Sequence, residues 1–230
     1  MISSNLIKKF RLPFLLLFIG TSAFSQGNLP YADGRFVHLG FFLGTNLMDF
    51  NVLPTSNDSV RASALTPGFS VGAIGDMRIN KYLNLRFTPG LHFGTRKLDY
   101  SFSSGNESTS VNSVFVCIPA YLKYSAERYH NYRPYLIGGG GIYIDLGTDD
   151  TKPIVLKPFN VFTEFGVGCD LYFSYFKLSP ELKFAIGFND IYKPYVNPDP
   201  LNSPDAVKQM FNSPISKLTT KMLTLSFNFE

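Results

Sequence analysis

The sequence predicts an all-β fold, an eight-stranded antiparallel up-and-down transmembrane β-barrel of the outer-membrane type. Three observations lead to this prediction. Apolar and polar residues alternate along eight segments, short connections alternate with long ones, and the chain opens with an export signal. Alternation with a period of two is typical of strands. Short turns that alternate with longer loops, an even strand number and two periplasmic termini are typical of outer-membrane barrels.

The N-terminal segment has the features of a cleavable signal peptide. Three basic residues precede an apolar run that is too short to cross a bilayer, which takes ~20 residues. Small residues then mark a cleavage site between Ser25 and Gln26. The predicted domains are the signal peptide 1–25, a short N-terminal extension 26–34 and the barrel 35–230.

Composition excludes several classes of function. Aromatic residues make up 16% of the chain and charged residues only 17%, which favours strands over helices. The net charge of +4 falls to about +1 once the leader with its three basic residues is removed, so nothing in the composition supports nucleic-acid binding. The three histidines and two cysteines lack the spacing of metal ligands. We therefore expect no metal and no cofactor.

The eight alternating segments carry one bulky apolar face and one charged, glycine-rich face. In the third segment Leu83, Leu85 and Phe87 share one face. Asn84 and Arg86 share the other. Glycines between the charges suit the crowded interior of a narrow barrel, so the charged face is predicted to point inward and the apolar face toward lipid. The segments are 35–48, 67–78, 82–98, 112–125, 132–147, 158–173, 176–189 and 220–229.

The inward charges are predicted to form a paired network that plugs the lumen. An isolated buried charge is costly, whereas paired charges are tolerated. The interior of an eight-stranded barrel is just filled by side chains, which disfavours porin-like conduction and a small-molecule substrate. The predicted members are Arg86, Lys123, Arg133, Glu164, Asp170, Glu181 and Lys183.

Connections set the predicted topology. Tight turns are expected at Asn80-Lys81 and around Ser174-Tyr175, and a short connection at Glu127–Asn131. The last long connection contains five prolines and is predicted to be a docking surface or a lid over the barrel mouth, with a disordered tether as the alternative. The predicted external loops are 49–66, 99–111, 148–157 and 190–219.

Three motifs suggest a chemical function but can also be explained by structure alone. The run Gly138–Gly141 lacks the residues and setting of a phosphate loop, and room for neighbouring side chains explains it better. His38 and His92 fall on the inward face, which leaves a lipid-modifying enzyme as a distant alternative, but no spacing marks a nucleophile and its base. Cys117 and Cys169 fall on opposite faces, so both thiols are predicted to be free.

Six stretches carry a family resemblance. They are HLGFFLGTNLMDF (38–50), LNLRFTPGLHFG (83–94), LKYSA (122–126), RPYLIGGG (133–140), EFGVGCD (164–170) and PELKF (180–184). Together they resemble the PorT family of outer-membrane β-barrels, a component of the type IX (Por) secretion system. The resemblance implies a non-enzymatic role in moving cargo with C-terminal sorting domains across the outer membrane, and in some bacteria in gliding motility.

The resemblance also implies partners. Other type IX secretion components and outer-membrane lipids would surround the barrel. The last strand, with Phe229 as the penultimate residue, is similar to the signal that the barrel-assembly machinery reads. A second hypothesis remains open, in which the chain is a small adhesion or envelope-integrity barrel whose external loops bind ligands.

Overall fold

Ten strands in the described part of the chain form one antiparallel sheet that closes on itself. The computed structural model describes residues 29, 32–54, 60–62, 66–102, 105–147, 154–194, 211 and 214–230. The predicted signal peptide and the cleavage site at Ser25 and Gln26 lie outside these residues. The strands are β1 (Val37–Pro54), β2 (Val60–Ala62), β3 (Thr66–Arg78), β4 (Leu83–Phe87), β5 (Gly90–Phe102), β6 (Gly105–Ser125), β7 (Tyr132–Asp145), β8 (Phe159–Tyr172), β9 (Lys177–Gly187) and β10 (Ile215–Phe229).

The sheet closes because β1 pairs with both β10 and β3. Phe41 on β1 faces Phe229 on β10 and Ala73 on β3. β4 and β5 occupy one place in the wall between β3 and β6, and β2 pairs only with the far end of β5. The ring therefore has eight strand positions, and the predicted eight-stranded antiparallel barrel is confirmed.

One wall strand is interrupted at Thr88 and Pro89, between β4 and β5. Proline has no N–H to donate to the ladder, although its carbonyl still accepts from the amide of Ala73 at 2.9 Å. A Cβ on Gly72 would lie 2.3 Å from that carbonyl oxygen and 2.4 Å from Cε1 of Phe42. Position 72 therefore has to be glycine for the Phe42 ring to cross the inside of this bend.

The two faces of the wall differ as the alternation predicts. On β9, Leu182 and Phe184 are exposed on the outside, whereas Glu181 and Lys183 are buried in the lumen. An apolar outer belt with a polar interior is the arrangement of membrane barrels and the reverse of a water-soluble one. No helix among the described residues is long and apolar enough to cross a membrane.

The predicted loop boundaries are corrected at one end of the barrel, where the strands continue further. β1 extends to Pro54 and β5 to Phe102, while β6 begins at Gly105 and β10 at Ile215, inside the segments predicted as loops 49–66, 99–111 and 190–219. The physical reason is a change of phase. Leu98 and Tyr100 are apolar and point inward, whereas Lys97 points outward, so the apolar-out pattern of the membrane part is inverted.

Short turns lie together at the opposite end. They connect β3 to β4, β6 to β7 and β8 to β9 at residues 79–82, 126–131 and 173–176, as predicted. Short turns face the periplasm in barrels of this type. We therefore name this the periplasmic end and the end with the extended strands the external end.

The glycine run 138–141 lies inside β7. Gly139 points into the lumen, and a Cβ there would lie 2.1 Å from the carbonyl oxygen of Ala120 and 2.9 Å from Cδ1 of Tyr121. The run is thus part of the wall, and it gives Tyr121 room inside the barrel.

Candidate functional site: the filled lumen and its two ends

Arg86 is the centre of a cluster of charges in the periplasmic half of the lumen. Its guanidinium lies 2.7 Å from Asp76 Oδ2, directly opposite on β3, and 2.7 Å from Glu230 Oε1 at the end of β10. A third carboxylate oxygen, Glu181 Oε2 on β9, lies 3.2 Å away. All four side chains are almost completely buried. One cation thus joins strands on opposite sides of the ring.

Two lysines share the carboxylates that Arg86 contacts. Lys177 Nζ lies 2.7 Å from Glu230 Oε2, and Lys183 Nζ lies 3.3 Å from Glu181 Oε1. Because each of these carboxylates meets two cations, the individual ion pairs merge into one connected network.

Lys123 continues this network on the other side of the lumen. Its ammonium group donates to both oxygens of Asp170, at 2.9 and 2.7 Å, and lies 4.0 Å from the centre of the Tyr135 ring. Asp170 also accepts a hydrogen bond from Ser179 at 2.6 Å, and the Tyr135 hydroxyl donates to Glu181 at 2.7 Å. Buried charges need such additional hydrogen bonds if they are not to destabilise the fold.

Six of the seven residues predicted for this network lie in the lumen: Arg86, Lys123, Glu164, Asp170, Glu181 and Lys183. Glu164 accepts a hydrogen bond from the hydroxyl of Tyr121. Arg133 is a correction, because it lies at the periplasmic rim and not among the luminal charges. As the second residue of β7 it is so near the strand end that it donates to the carbonyls of Ala126 and Lys81, at 2.8 and 2.6 Å.

Three further members were not predicted: Asp76, Lys177 and Glu230. All three fall on the inward phase of their strands, so the alternation contains the signal. The pairing itself is absent from the sequence, because Arg86 and Glu230 are 144 residues apart in the chain. We refer to the luminal charges Asp76, Arg86, Lys123, Glu164, Asp170, Lys177, Glu181, Lys183 and Glu230 as the charge network.

The middle of the lumen holds a pair of described residues that resembles catalytic machinery. Ser70 Oγ lies 2.7 Å from Nδ1 of His92, and the Asn46 amide donates to the same hydroxyl at 2.6 Å. Ser70 is 0% exposed and His92 4% exposed, with the rings of Phe42 and Tyr143 beside the imidazole. A nucleophile needs a substrate within reach, and this hydroxyl is enclosed. The pair is best explained as interior hydrogen bonding.

A separate ion pair lies on the external side of the Ser70–His92 pair. Arg96 Nη2 is 3.1 Å from Asp145 Oδ2 and 2.6 Å from Ser113 Oγ. The guanidinium also lies 4.2 Å from the centre of the Phe50 ring and 4.9 Å from that of Phe115. Contacts of this kind let a charged group border an apolar region.

The external end of the lumen is filled by an apolar cluster, which we name the external core. Inward residues of the extended strands pack there against residues of the connections between strands. Phe211, from the connection before β10, meets Tyr100 on β5 edge to face, with ring centres 5.0 Å apart. The buried members are Phe50, Val60, Leu98, Tyr100, Val111, Ile154, Leu156, Ile191, Tyr192, Phe211, Ile215 and Leu218.

The predicted docking connection 190–219 is described only in part. Residues 195–210 and 212–213 lie outside the described residues. Its described ends pack into the external core through Ile191, Tyr192 and Phe211, and 215–219 belongs to β10.

The cysteines are both free, as predicted. Cys117 is buried in the lumen, and Cys169 lies on the outer face of β8. Among the residues that the structure describes, no group of three or more His, Cys, Asp or Glu side chains is arranged to hold a metal ion.

The periplasmic rim carries an exposed ion pair between two adjacent turns. Lys81 Nζ lies 2.7 Å from Glu127 Oε1, with both side chains about two-thirds exposed. The hydrogen bond from Lys81 lowers the pKa of Glu127 below 4.5, and the same bond raises the pKa of Lys81 above 10.5. Both groups are therefore charged at neutral pH.

The arrangement of the described lumen determines what it can do. Among the buried residues of the described lumen, charges predominate in the periplasmic half, aromatic rings in the middle and apolar side chains at the external end. Such an interior stabilises the barrel and leaves the outer surface and the two ends as the parts that meet other molecules.

Comparison with known proteins agrees with this architecture. Residues 24–193 match the family model described as "Outer membrane protein beta-barrel domain". No curated protein matches the sequence.

Three solved structures are similar in shape at low identity. The chain is similar to Neisserial surface protein A at TM-score 0.40 and 11% identity, over 82% of this chain and 95% of that one. Outer membrane protein AlkL gives TM-score 0.43 and 14% identity, over 91% and 93%. Ail, the attachment invasion locus protein of Yersinia pestis, gives 0.36 and 8%, over 83% and 96%. Likeness at this level says nothing about function.

Proposed function

The chain belongs to the family of outer membrane protein beta-barrel domains, and on that premise we propose that it is a non-enzymatic component of the type IX secretion system. In this role it is needed for export of cargo with C-terminal sorting domains, and in gliding bacteria for motility. Its partners are the other components of that system and the surrounding outer-membrane lipids, and the barrel-assembly machinery inserts it.

One observation supports the proposal most. Four of the stretches that resemble the PorT family contribute luminal charges, namely 83–94, 122–126, 164–170 and 180–184. A fifth, 133–140, contributes Tyr135 and the glycines beside Tyr121. The resemblance therefore lies in residues that fill and close the barrel. A filled barrel acts through its surfaces, which suits a structural component better than a conduit.

Deletion of the gene tests the proposal. In a bacterium that secretes sorting-domain cargo, we expect the deletion strain to accumulate that cargo in the periplasm. A plasmid copy should restore export, whereas an empty plasmid should not. Normal export in the deletion strain would overturn the proposal. Colony spreading is the parallel readout for motility.

A small adhesion or envelope-integrity barrel is the alternative function. The observation that favours it is the extended external wall, where β5 and β6 continue beyond the apolar belt and present Lys97, Asp99, Ser110 and Asn112 outward. Under this alternative the deletion strain exports cargo normally but loses attachment to host or surface ligands. The two functions therefore predict opposite results in the same pair of assays.

A further inference from the structure

An open cavity of about 320 Å³ lies under the barrel at the periplasmic rim, and four basic side chains surround it. We name it the rim pocket. Its volume lies at the lower end of the range typical of ligand sites. The lining residues come from the end of β3, the turns after β3 and β6, the start of β7, and the segment before β1: Asp33, Gly34, Arg78, Lys81, Glu127, Arg128 and Arg133.

The charge of the rim pocket is unbalanced. Among the residues that the structure describes, four cations face two carboxylates, and one of those carboxylates, Glu127, is already bound to Lys81. Arg78 meets only carbonyl oxygens within the described part of the chain, donating to Asp33 O at 2.6 Å and to Asn80 O at 3.2 Å. A guanidinium with such partners can donate a stronger hydrogen bond to a carboxylate, because both groups are then ionised.

The rim pocket already holds a segment of this chain just before β1, through main-chain carbonyls and the carboxylate of Asp33. Arg128 donates to the carbonyl oxygen of Leu29 at 3.1 Å, and Arg78 donates to that of Asp33. The Asp33 carboxylate lies 3.4 Å from Arg128 and 3.3 Å from Arg133, and it accepts a hydrogen bond from Tyr172. The rim arginines therefore contact both the main chain and the acidic side chain of this segment.

This intramolecular contact combines a short bond, from Arg78 to the carbonyl oxygen of Asp33 at 2.6 Å, with weaker ion pairs of the Asp33 carboxylate. The Asp33 ion pairs, at 3.3 and 3.4 Å, are longer than the 2.7–2.9 Å typical of charge-assisted bonds. The Asp33 side chain is 32% exposed, and Arg35 and Phe36, which follow it, are exposed as well. A segment held in this way can be displaced by a better ligand of the same chemistry.

We propose that the rim pocket is a binding site for an acidic peptide segment of a periplasmic protein, and that the segment 32–36, which carries Asp33, is its intramolecular competitor. Recognition of main-chain carbonyls as well as a carboxylate favours a peptide over a lipid phosphate. The inference needs only the outer-membrane placement of the barrel, so it stands or falls independently of the secretion role.

The experiment uses the mature protein in detergent micelles. The probe is a fluorescein-labelled octapeptide of alternating Asp and Gly, and the matched control peptide has Asn in place of every Asp. Fluorescence anisotropy measures both affinities at low ionic strength and at 0.15 M salt. We expect the Asp peptide to bind more tightly by about tenfold, a difference that corresponds to ~1.4 kcal/mol, and to weaken with salt.

Three variants locate the site. Arg78→Gln should weaken binding of the Asp peptide about tenfold, and Asp33→Asn should strengthen it severalfold because the competitor is lost. Lys97→Gln, an exposed change on the outer face of the external end, should leave binding unchanged. The heat-modifiable gel band confirms folding of each variant. Lys81→Gln, at an exposed position, is the second loss variant if Arg78→Gln does not fold.

The following outcomes would overturn the proposal: equal binding of the two peptides, unchanged binding in the folded loss variant, or weaker binding after Asp33→Asn. A final experiment measures the binding of vesicles of an anionic phospholipid to wild type and to the loss variant. If vesicles bind through Arg78 or Lys81 while the Asp peptide does not, the site recognises a lipid headgroup and the peptide proposal fails.

Discussion

The two ends of the lumen are stabilised by different forces although the same strands build both. Near the periplasmic end the inward residues are charged, as Arg86 and Glu181 illustrate, and the outward residues are apolar. At the external end the inward residues are apolar, as Leu98 illustrates, while outward residues such as Lys97 are polar. The inside of the barrel changes from an ion-pair network to a hydrophobic core within one strand.

The difference shows that the solvent outside the wall determines which force fills the inside. Where the wall faces lipid, its outward side chains must be apolar, so polar side chains can only point inward and must pair with one another. Where the wall extends beyond the bilayer it faces water, and an apolar interior is then stabilised by the hydrophobic effect, as in a water-soluble domain.

Replacing the central cation should give the largest effect. Arg86→Ala leaves three buried carboxylates, Asp76, Glu181 and Glu230, without their shared partner. Removal of one member of a buried ion pair costs ~3–5 kcal/mol. Unfolding by urea in lipid vesicles, followed by the heat-modifiable gel shift, measures this loss. The matched control Lys97→Ala removes an exposed cation and should change stability by less than ~0.5 kcal/mol. Equal effects of the two changes would contradict the network.

A cavity in the external core should have a smaller and more local effect. Leu98→Ala removes a fully buried side chain at a cost of ~2–5 kcal/mol. Because the external core lies beyond the lipid-facing belt, we expect cleavage of the external connections by protease to accelerate, while the gel shift of the membrane part changes less. Leu53→Ala, at a 53% exposed position of the same end, is the control and should leave cleavage unchanged. If Leu98→Ala abolished the gel shift, the two regions would form one cooperative unit.

A charge on the outer wall should reveal where lipid ends. Leu225→Arg, on the belt of β10, should cost ~2–4 kcal/mol if the residue lies near the bilayer midplane, whereas Leu53→Arg beyond the belt should cost ~0–1 kcal/mol. Urea unfolding of the two variants in vesicles gives the comparison. A large cost at position 53 would mean that the bilayer reaches the extended wall, and the inversion of faces would need another cause.

The exposed rim pair should have the smallest effect. The pKa of Glu127 is lowered by the hydrogen bond from Lys81, so any stabilisation is present above the ordinary pKa of 4.5 and is lost as the pH falls through the lowered pKa. Glu127→Gln should therefore differ slightly from wild type in urea midpoint at pH 7, and the difference should shrink as the pH is lowered below 4.5. A difference that grows on acidification would reverse this assignment.

Inversion of the faces also explains which parts of the fold the sequence could predict. The apolar-out alternation identified all eight wall positions, and it placed Glu181 and Lys183 inside correctly. Beyond residues 48 and 98 the apolar residues occupy the inward phase, as Phe50 and Tyr100 do, so the apolar-out alternation does not continue there. A strand prediction that requires the same face to stay apolar therefore ends at the edge of the lipid belt and not at the end of the strand.

The sequence by itself determined the strand count, the phase of each side chain and the kind of residue that fills the lumen. Only the tertiary structure decided that Arg86 meets Glu181 and Glu230, and that Arg133 lies at the rim. Phase is a local property, since it follows from the period of two within each strand. Pairing depends on the stagger of the closed barrel, which sets the heights at which residues from distant strands come together.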